Sequence, residues 1–514
     1  MMPPKDQAEV LAFLSDPHTH GGEAVRRIDT HAAAVFLAGD RALKIKRAVQ
    51  FPFLDYSTLD KRKAACEAEL AINRRTAPEI YRRVIAITRE ADGTLHIGGD
   101  GAVVEWALEM RRFDENATLD HLADAGRIDF TLADTLARVI ARAHEQAPAV
   151  EAAPWISALG DYVAQNHDAF AAAPDLFPAA EAADLTRASR ALLSKLEPLL
   201  QRRAAQGLIR RLHGDLHLGN IALIDGRPVL FDAIEFSPVV ASGDVLYDLA
   251  FVLMDLIARD LQAAANTLFN RYLIETARVS DFDALAALPL FLSLRAAIRA
   301  KVTAARLDTA AAEKADSIRE AASSYFRLAR RLIAPPPPRL LAIGGLSGTG
   351  KSLLGRALAP AIDPAPGAVV LRSDVMRKRM FNRSETDKLP QEAYTREVTE
   401  KLYALLIEHA RCILMAGHSA IIDAVFAKQD ERTIAEDTAR AGNVPFSGLF
   451  LTADLAIRLQ RVGARTGDAS DADEAVAHHQ ESYDLGALDW SIVDASGTPD
   501  QTLANAAKVL SHKP

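Results

Sequence analysis

The sequence predicts two domains of different folds: an α+β domain with two lobes over residues 1–333, and an α/β domain with a parallel sheet over residues 339–514. Three observations lead to this prediction. A chain of 514 residues is too long for one hydrophobic core. Residues 334–338 read Ala-Pro-Pro-Pro-Pro, and the strand and helix pattern differs on the two sides. Consecutive prolines favour an extended backbone, so we expect a stiff linker there.

The N-terminal domain begins with strand-like segments and continues with helices. A helix is expected at residues 59–75, and alanine- and leucine-rich helical segments dominate after residue 115. Strand-like segments are expected at residues 25–46 (with a turn at Gly39-Asp40), 84–88, 102–113 and within 208–231. This order predicts a small mixed lobe followed by a helical lobe.

In the C-terminal domain, short apolar runs alternate with helical stretches. Strands are expected at residues 340–343, 368–371, 420–422, 446–451 and 491–493. Helices are expected at residues 352–362, 391–415 and 428–440. Such alternation predicts a buried parallel sheet with helices on both faces.

Composition and charge fit a soluble globular protein, with 49% hydrophobic and 25% charged residues. The net charge of −8 argues against a nucleic-acid partner, because phosphate-backbone binding needs a concentrated positive surface. Cys66 and Cys412 have no disulfide or metal-ligand spacing, which indicates a reducing compartment. The N-terminal segment lacks the apolar core of a signal peptide, so we expect a cytoplasmic protein without a membrane partner.

Residues 345–352 read Gly-Leu-Ser-Gly-Thr-Gly-Lys-Ser and fit the phosphate-binding pattern G-x-x-x-x-G-K-[ST] between a strand and a helix. The glycines allow backbone N–H groups to surround a phosphate at a helix N-terminus. Lys351 is expected to reach the outer phosphates of ATP, and Ser352 to ligate Mg²⁺. The predicted ATP-binding residues are Gly345, Ser347, Gly348, Thr349, Gly350, Lys351 and Ser352.

Charged residues follow the strands of this domain. Asp374 and Asp423 lie at the predicted carboxyl ends of two strands, where either could orient Mg²⁺ or accept a hydroxyl proton. A helix cap is the alternative for Asp374. Arg458, Arg461 and Arg465 recur at helical spacing and could close over the phosphates, or form a solvated helix face.

Residues 339–514 resemble the gluconate-kinase-like and zeta-toxin-like P-loop kinases. The likeness lies in Leu-Arg-Ser-Asp-Val-Met-Arg-Lys at 371–378, Ala-Gly-His-Ser-Ala-Ile-Ile-Asp-Ala at 416–424 and Arg-Thr-Gly-Asp-Ala-Ser-Asp-Ala at 465–472. It implies a P-loop NTPase fold and the activity of a small phosphotransferase, but it does not identify the substrate. The implied roles are base or metal partner for Asp374, substrate-binding for Arg377 and ATP-binding for the lid arginines Arg461 and Arg465. From the motif and the strand-end position we also expect Lys351 to be catalytic and Asp423 to bind the metal.

A second set of catalytic residues is predicted upstream. Asp215 and Asn220 are five residues apart, and Asp232 follows Asn220 by twelve residues. This is the spacing of a protein-kinase catalytic loop and its metal-binding aspartate. Asp215 would accept the proton of an attacking hydroxyl, while Asn220 and Asp232 would hold Mg²⁺. His213 and His217 suggest a metal hydrolase instead, but a further zinc ligand is not evident.

This second segment resembles the aminoglycoside-phosphotransferase and choline-kinase-like family. The likeness lies in His-Gly-Asp-Leu-His-Leu-Gly-Asn at 213–220, Phe-Asp-Ala-Ile-Glu-Phe at 231–236 and Gly-Asp-Val-Leu-Tyr-Asp-Leu-Ala at 243–250. It covers roughly residues 25–330 and implies a bilobal, protein-kinase-like fold. In such a fold Asp248 supports the catalytic loop.

The same resemblance implies a strand lysine in the small lobe that binds ATP and pairs with a helix acid. Lys44 is preferred to Lys46, and Glu67 and Glu69 both remain candidates for the acid. Exposed lysines and surface acids are the alternative. The lobe departs from protein kinases because residues 29–33 read Asp-Thr-His-Ala-Ala where a glycine-rich loop would stand.

Together the two motifs predict a bifunctional ATP-dependent phosphotransferase that acts on hydroxyl groups of small molecules at two separate Mg-ATP sites. Two alternatives stay open. The kinase-like domain could be a ligand-binding regulator of the P-loop kinase, or the P-loop domain could act on nucleic-acid ends or as a toxin. The sequence leaves the identity of both acceptors open.

Overall fold

The computed structural model describes residues 5–51, 54–308, 310–464 and 467–511. The chain divides into two compact units: unit 1 comprises Met1–Asp168 and Leu193–Arg259, and unit 2 comprises Ala169–Leu192 and Asp260–Pro514. Residues 260–333 therefore lie in the same compact unit as residues 339–514. The boundary at residues 334–338 stays a prediction. Within the described ranges, no helix is long and apolar enough to cross a membrane.

The elements of unit 1, with the two helices that continue into unit 2, follow in chain order. They are α1 (Lys5–Ser15), β1 (Val25–Asp29), β2 (Ala33–Ala38), β3 (Arg41–Lys46), β4 (Gln50–Phe51), β5 (Leu54–Asp55), α2 (Leu59–Asn73), β6 (Tyr81–Arg89), β7 (Leu95–Ile97), β8 (Ala102–Arg111), α3 (Leu119–Asp124), α4 (Phe130–Gln146), α5 (Ala153–Ala171), α6 (Ala179–Ala205), β9 (Ile209–Arg211), β10 (Ile221–Ile224), β11 (Arg227–Leu230), β12 (Ser242–Asp244) and α7 (Val245–Ala258).

Unit 1 is built on an antiparallel six-stranded sheet in the order β1-β2-β3-β8-β6-β7. Its side chains alternate between two apolar clusters, one centred on Phe36 and Leu43 and the other on Leu37 and Leu108. Helix α2 packs against β8 and β6. This packing brings the buried face of α2 next to the central strand β3, where the candidate lysines lie.

The remaining elements of unit 2 are α8 (Gln262–Thr276), α9 (Ser280–Ala284), α10 (Leu288–Ala305), α11 (Ala312–Ile333), β13 (Leu340–Gly345), α12 (Lys351–Leu358), β14 (Val369–Arg372), α13 (Ser373–Met380), α14 (Arg396–Met415), β15 (Ala420–Asp423), α15 (Gln429–Ala441), β16 (Phe446–Thr452), α16 (Leu455–Gly463), α17 (Glu474–His479), β17 (Ser491–Asp494) and α18 (Pro499–Ser511).

Unit 2 contains the predicted parallel sheet, with five strands in the order β14-β15-β13-β16-β17. All five predicted strands are present. The predicted helix at residues 391–415 is wrong at its start, because a 3₁₀ turn at Gln391–Tyr394 precedes α14. Thr395 caps α14 by accepting a hydrogen bond from Val398 N at 3.4 Å. The carboxyl ends of β13, β14 and β15 lead directly to the predicted site residues.

Candidate active sites

The predicted catalytic loop of unit 1 connects β9 to β10 and holds Asp215 and Asn220 together. Asn220 Nδ2 donates to the main-chain oxygen of Asp215 at 2.9 Å and to its Oδ2 at 3.1 Å. Asp232 follows β11 with a positive φ of 61°. Tyr81 fixes this turn because its hydroxyl oxygen accepts a hydrogen bond from Asp232 N at 3.2 Å.

Buried polar groups brace this loop from behind. Asp248 accepts a hydrogen bond from Gly214 N at 3.0 Å and lies 3.2 Å from His144 Nε2. His213 Nε2 lies 2.8 Å from Phe231 O. Burial lowers the pKa of His213 despite the carboxylates nearby, which favours a neutral ring that donates through Nε2. The geometry therefore gives His213 and Asp248 supporting roles.

Lys44 on β3 connects the loop of Asp232 to helix α2. Its ammonium lies 2.7 Å from Asp232 Oδ1 and 2.8 Å from Glu69 Oε1. Burial alone would lower the pKa of Lys44, but the two carboxylates hold this pKa well above its ordinary value. Glu67, by contrast, lies 3.7 Å from Lys63 and is 56% exposed. Glu69 is therefore the helix acid that pairs with Lys44.

Lys46 belongs to a neighbouring network that the sequence pattern did not reveal. Its ammonium lies 2.5 Å from Glu69 Oε2 and 2.5 Å from Glu235 Oε1. The hydroxyl of Tyr56 donates to Glu235 at 2.8 Å. Lys44 and Lys46 thus share Glu69, but Lys44 is the lysine that contacts Asp232.

The donor set of unit 1 suits Mg²⁺, which prefers oxygen ligands. The Asp232 carboxylate is 46% exposed and can offer oxygens. Asn220 uses Nδ2 toward Asp215, so its Oδ1 is the atom that could ligate a cation. In the described part of the chain, no group of three His, Cys, Asp or Glu side chains is placed to hold a metal.

The phosphate-binding loop of unit 2 runs from the end of β13 into α12. Its three glycines have positive φ values: 138° at Gly345, 87° at Gly348 and 91° at Gly350. Lys351 Nζ donates to Leu346 O at 3.2 Å. This curvature gives the loop the nest of backbone N–H groups that a phosphate requires.

A cavity of about 1400 Å³ opens over this loop, which is enough for a nucleotide and a small acceptor. The predicted residues that line it are Ser347, Gly348, Thr349, Gly350, Lys351, Ser352, Asp374, Arg377 and Arg461. The cavity is thus lined by residues of the phosphate-binding loop and of helices α12, α13 and α16, whereas Gly345 and Asp423 are not among its lining residues.

Arg377 lies on α13 and is anchored within this cavity. Its Nη1 donates to Ala393 O at 2.6 Å and to Thr399 Oγ1 at 3.3 Å. The guanidinium carbon is 5.0 Å from the centre of the Tyr394 ring. Burial lowers the pKa of Arg377, although Asp374 opposes this change. Asp374 lines the same cavity as Arg377.

Asp423 lies at the end of β15 and is buried. Its Oδ2 is 3.5 Å from Arg372 Nε, and Arg372 Nη2 is 2.8 Å from Asp468 Oδ1. A guanidinium therefore faces the carboxylate that is predicted to hold the metal. A metal ion at Asp423 would therefore share this carboxylate with Arg372.

The arginines of α16 have different roles. Arg458 is 2% exposed, so a solvated face is wrong for it. Its Nε donates to Ser347 O at 2.9 Å, and its other nitrogens contact Ala477 O and Glu481. Arg461 donates to Ala495 O at 2.8 Å and Gly497 O at 2.6 Å while lining the cavity. Arg465 lies outside the described residues.

Gln480 is a site residue that the sequence did not identify. Its Oε1 accepts a hydrogen bond from Ser347 N at 2.7 Å, and its side chain is buried. Gln480 and Arg458 therefore hold Ser347 by both its N–H and its carbonyl. The contact spans 133 residues, and no local periodicity or motif signals such a pairing.

Two segments of the chain match known families. Residues 61–288 match the phosphotransferase enzyme family, and residues 340–483 match the AAA domain. The chain therefore contains a kinase-like phosphotransferase domain followed by a P-loop kinase domain with a parallel sheet, as the two motifs predict. Kinase families of these types use ATP, typically with Mg²⁺.

Curated relatives are similar to this chain along nearly their whole length. Uncharacterized proteins of Mycobacterium tuberculosis and Mycobacterium bovis are each 28% identical over 491 residues, covering 93% of this chain and 94% of their own. The similarity thus extends through both matched segments.

Two kinases of known structure are similar to parts of this chain. A sugar kinase from Janibacter is 22% identical and covers 35% of this chain and 97% of its own, with a TM-score of 0.28. A choline/ethanolamine kinase family protein from Mesorhizobium loti is 15% identical and covers 63% of this chain and 99% of its own, with a TM-score of 0.38.

Proposed function

We propose that the chain is a bifunctional ATP-dependent phosphotransferase with two separate Mg-ATP sites, each acting on a hydroxyl group of a small molecule. The observation that carries this proposal is the assembly of two complete residue sets. One consists of Asp215, Asn220, Asp232 and Lys44, and the other lines the cavity over the loop at residues 345–352. Each set has a cationic group for phosphate and carboxylates for an acceptor proton or a metal.

In unit 1, Asp215 accepts the proton of the attacking hydroxyl. Asn220 and Asp232 are the metal ligands, and Lys44 orients the ATP phosphates. Bound Mg²⁺ supplies neutralisation of the phosphate charge. The contact of Lys44 with Glu69 and Asp232 supports this assignment because it keeps the ammonium charged and fixed.

In unit 2, the loop backbone and Lys351 bind the phosphates, and Ser352 and Asp423 hold Mg²⁺. Asp374 accepts the acceptor proton and Arg377 binds the acceptor. Arg461 contacts the nucleotide from α16, and we assign Arg465 to the same task by resemblance. Both transfers rely on positioning and electrostatic stabilisation of the phosphoryl group.

The test is a metabolite screen for Mg-ATP consumption by the full chain and by its Asp215→Ala and Lys351→Ala variants. An oligonucleotide with a free 5′-hydroxyl is included as a rival acceptor. We expect two acceptors, each lost in one variant and retained in the other. If either variant loses all turnover, or if neither variant loses any, the two sites are not independent.

One feature favours a second candidate, in which unit 1 binds a ligand and regulates the P-loop kinase. The β1–β2 turn has no glycine-rich loop and is closed by hydrogen bonds of Thr30 N and Oγ1 with Ala33 O at 2.9 and 3.1 Å. Calorimetry on the full-length Lys351→Ala variant separates the two. Ligand binding without phosphate transfer in that variant supports the regulator.

A further inference from the structure

Strand β14 is an edge strand of the parallel sheet in unit 2. Val369 N donates inward to Ser419 O at 2.9 Å, and β14 pairs on that side with β15. In a parallel ladder, the groups on either side of Val369, namely Ala368 O and Val370 N, point away from β15. Unsatisfied groups of this kind are costly when buried and promote unwanted strand pairing.

Two asparagines of helix α8 satisfy these groups. Asn270 Oδ1 accepts a hydrogen bond from Val370 N at 2.7 Å, and its Nδ2 donates to Ala368 O at 3.1 Å. Asn266 Nδ2 also donates to Ala368 O at 3.1 Å. A side-chain amide has the donor and acceptor of a peptide group. Asn270 therefore occupies the place of a peptide in a sixth strand.

The backbone before β14 is shaped for this contact. Gly367 has a φ of 109°, and a Cβ there would lie 2.6 Å from Asn266 Nδ2 and 2.5 Å from Ala359 O. His418 Nε2 lies 3.0 Å from Gly367 O, and its ring packs edge-on against Phe269 of α8 at 5.5 Å. Only glycine leaves room for α8 to approach this closely.

Helix α8 also contacts the segment that follows β14. Arg271 lies 2.9 Å from Glu385, and Arg379 of α13 donates to Ile274 O. The strand and the helix that carries Asp374 are therefore both attached to α8. Because Asp374 is the second residue of α13, a shift of β14 would move its carboxylate relative to the phosphate-binding loop.

We propose that Asn270, supported by Asn266, is a positioning residue for phosphotransfer at the P-loop site. The inference rests on the proposed function of that site. Helix α8 lies within residues 61–288, the segment that matches the phosphotransferase family, while β14 lies within the AAA match. A helix of the segment that matches the phosphotransferase family thus covers the sheet edge of the segment that matches the AAA domain. The P-loop enzyme is therefore incomplete without residues 262–276.

The test compares Asn270→Ala with the parent in full-length chains that carry Asp215→Ala, so that turnover reports the P-loop site. Mg-ATP hydrolysis is measured together with hydrogen–deuterium exchange of the peptide around Val370. We expect faster exchange and a kcat about tenfold lower, with the KM for ATP within about twofold, because misplacement of the base affects the reaction more than nucleotide binding. Thr267→Ala is the control, since its hydroxyl donates to Ala263 O of its own helix.

The outcomes separate the two claims. Absence of Lys351-dependent ATP consumption in the parent, both without an acceptor and across the metabolite screen, refutes the proposed function. An unchanged kcat in Asn270→Ala, with or without faster exchange, refutes the positioning role alone. If the alanine variant does not fold, Asn270→Asp replaces it. Aspartate keeps the acceptor for Val370 N, but its second carboxylate oxygen repels Ala368 O where the amide donated to it, although Asn266 remains. A normal kcat in that variant also refutes the role.

Discussion

Lys44 and Asp232 are joined by a hydrogen bond of 2.7 Å although 188 residues separate them in the chain. The contact connects the central strand β3 to the turn after β11. Glu69 lies on the other side of the lysine at 2.8 Å. Lys44 is therefore held between Asp232 and Glu69.

Replacing Lys44 with methionine should lower kcat/KM of the unit 1 reaction by about 100-fold or more, because the phosphates lose their fixed cation. The measurement is Mg-ATP-dependent phosphorylation of the acceptor that depends on Asp215. Lys63→Met is the matched control, since Lys63 pairs with the exposed Glu67 and lies over the Trp106 ring. Equal activity of the two variants would contradict the role of Lys44.

Asp248→Ala should destabilise unit 1. Asp248 is 2% exposed and accepts the Gly214 N–H, and it also faces His144. Removal of a buried charged acceptor costs about 2–3 kcal/mol of unfolding free energy. Urea unfolding measures this loss, with Asp40→Ala at an 87% exposed carboxylate as control. A loss below about 0.5 kcal/mol would show that the loop does not depend on Asp248.

Gly348→Ala should abolish nucleotide binding at the P-loop. A Cβ at this position would lie 2.6 Å from Arg458 O, in addition to the strain of a φ of 87°. Gly417→Ala has a similar φ of 77° but meets nothing within 4 Å, so it isolates the clash. Titration of the Lys44→Met chain, in which we expect no nucleotide binding at the unit 1 site, with an ATP analogue should show loss of binding in the first variant and retention in the second. Retention of binding in both variants would contradict this prediction, because the contacts of Arg458 and Gln480 with Ser347 would then shift easily to accommodate the new Cβ.

The free energy of unfolding of unit 2 should fall in mild acid because of His418. Burial lowers the pKa of His418 from 6.5 to about 4. As the pH falls, the unfolded chain binds a proton at His418 before the folded chain does. The contribution of neutral His418 to the free energy of unfolding is therefore complete above pH 6.5, and it declines by about 3 kcal/mol in total as the pH falls toward about 4. Urea unfolding at about pH 7.5 and about pH 5 should show a larger loss for the parent than for His418→Gln. Equal losses would contradict a buried neutral histidine.

Local patterns predicted the features that local chemistry determines. The five strands of unit 2 and both catalytic motifs were predicted because strand hydrophobicity and phosphate binding are encoded over a few residues. Lys44 and Lys46 lie on the same face of one strand, so the sequence could favour Lys44 but could not show which of the two meets Asp232. Asn270 and Gln480 were missed for a related reason. Each makes its contact across about 100 residues or more, and such packing leaves no periodicity in the sequence.

The predicted boundary at residues 334–338 rests on proline stiffness, which says nothing about side-chain contacts on either side. Helix α8 precedes those prolines, yet its asparagines cap β14, which follows them. Composition can therefore indicate a linker while long-range hydrogen bonds unite the segments that flank it.

Counting bound nucleotide tests the central claim most directly. Equilibrium dialysis with a non-hydrolysable ATP analogue and Mg²⁺ would be performed on the full chain, on Lys44→Met, on Lys351→Ala and on the double variant. Two separate sites predict two nucleotides per parent chain, one in each single variant and none in the double variant. One nucleotide per parent chain, lost entirely in Lys351→Ala, would contradict a second ATP site in unit 1.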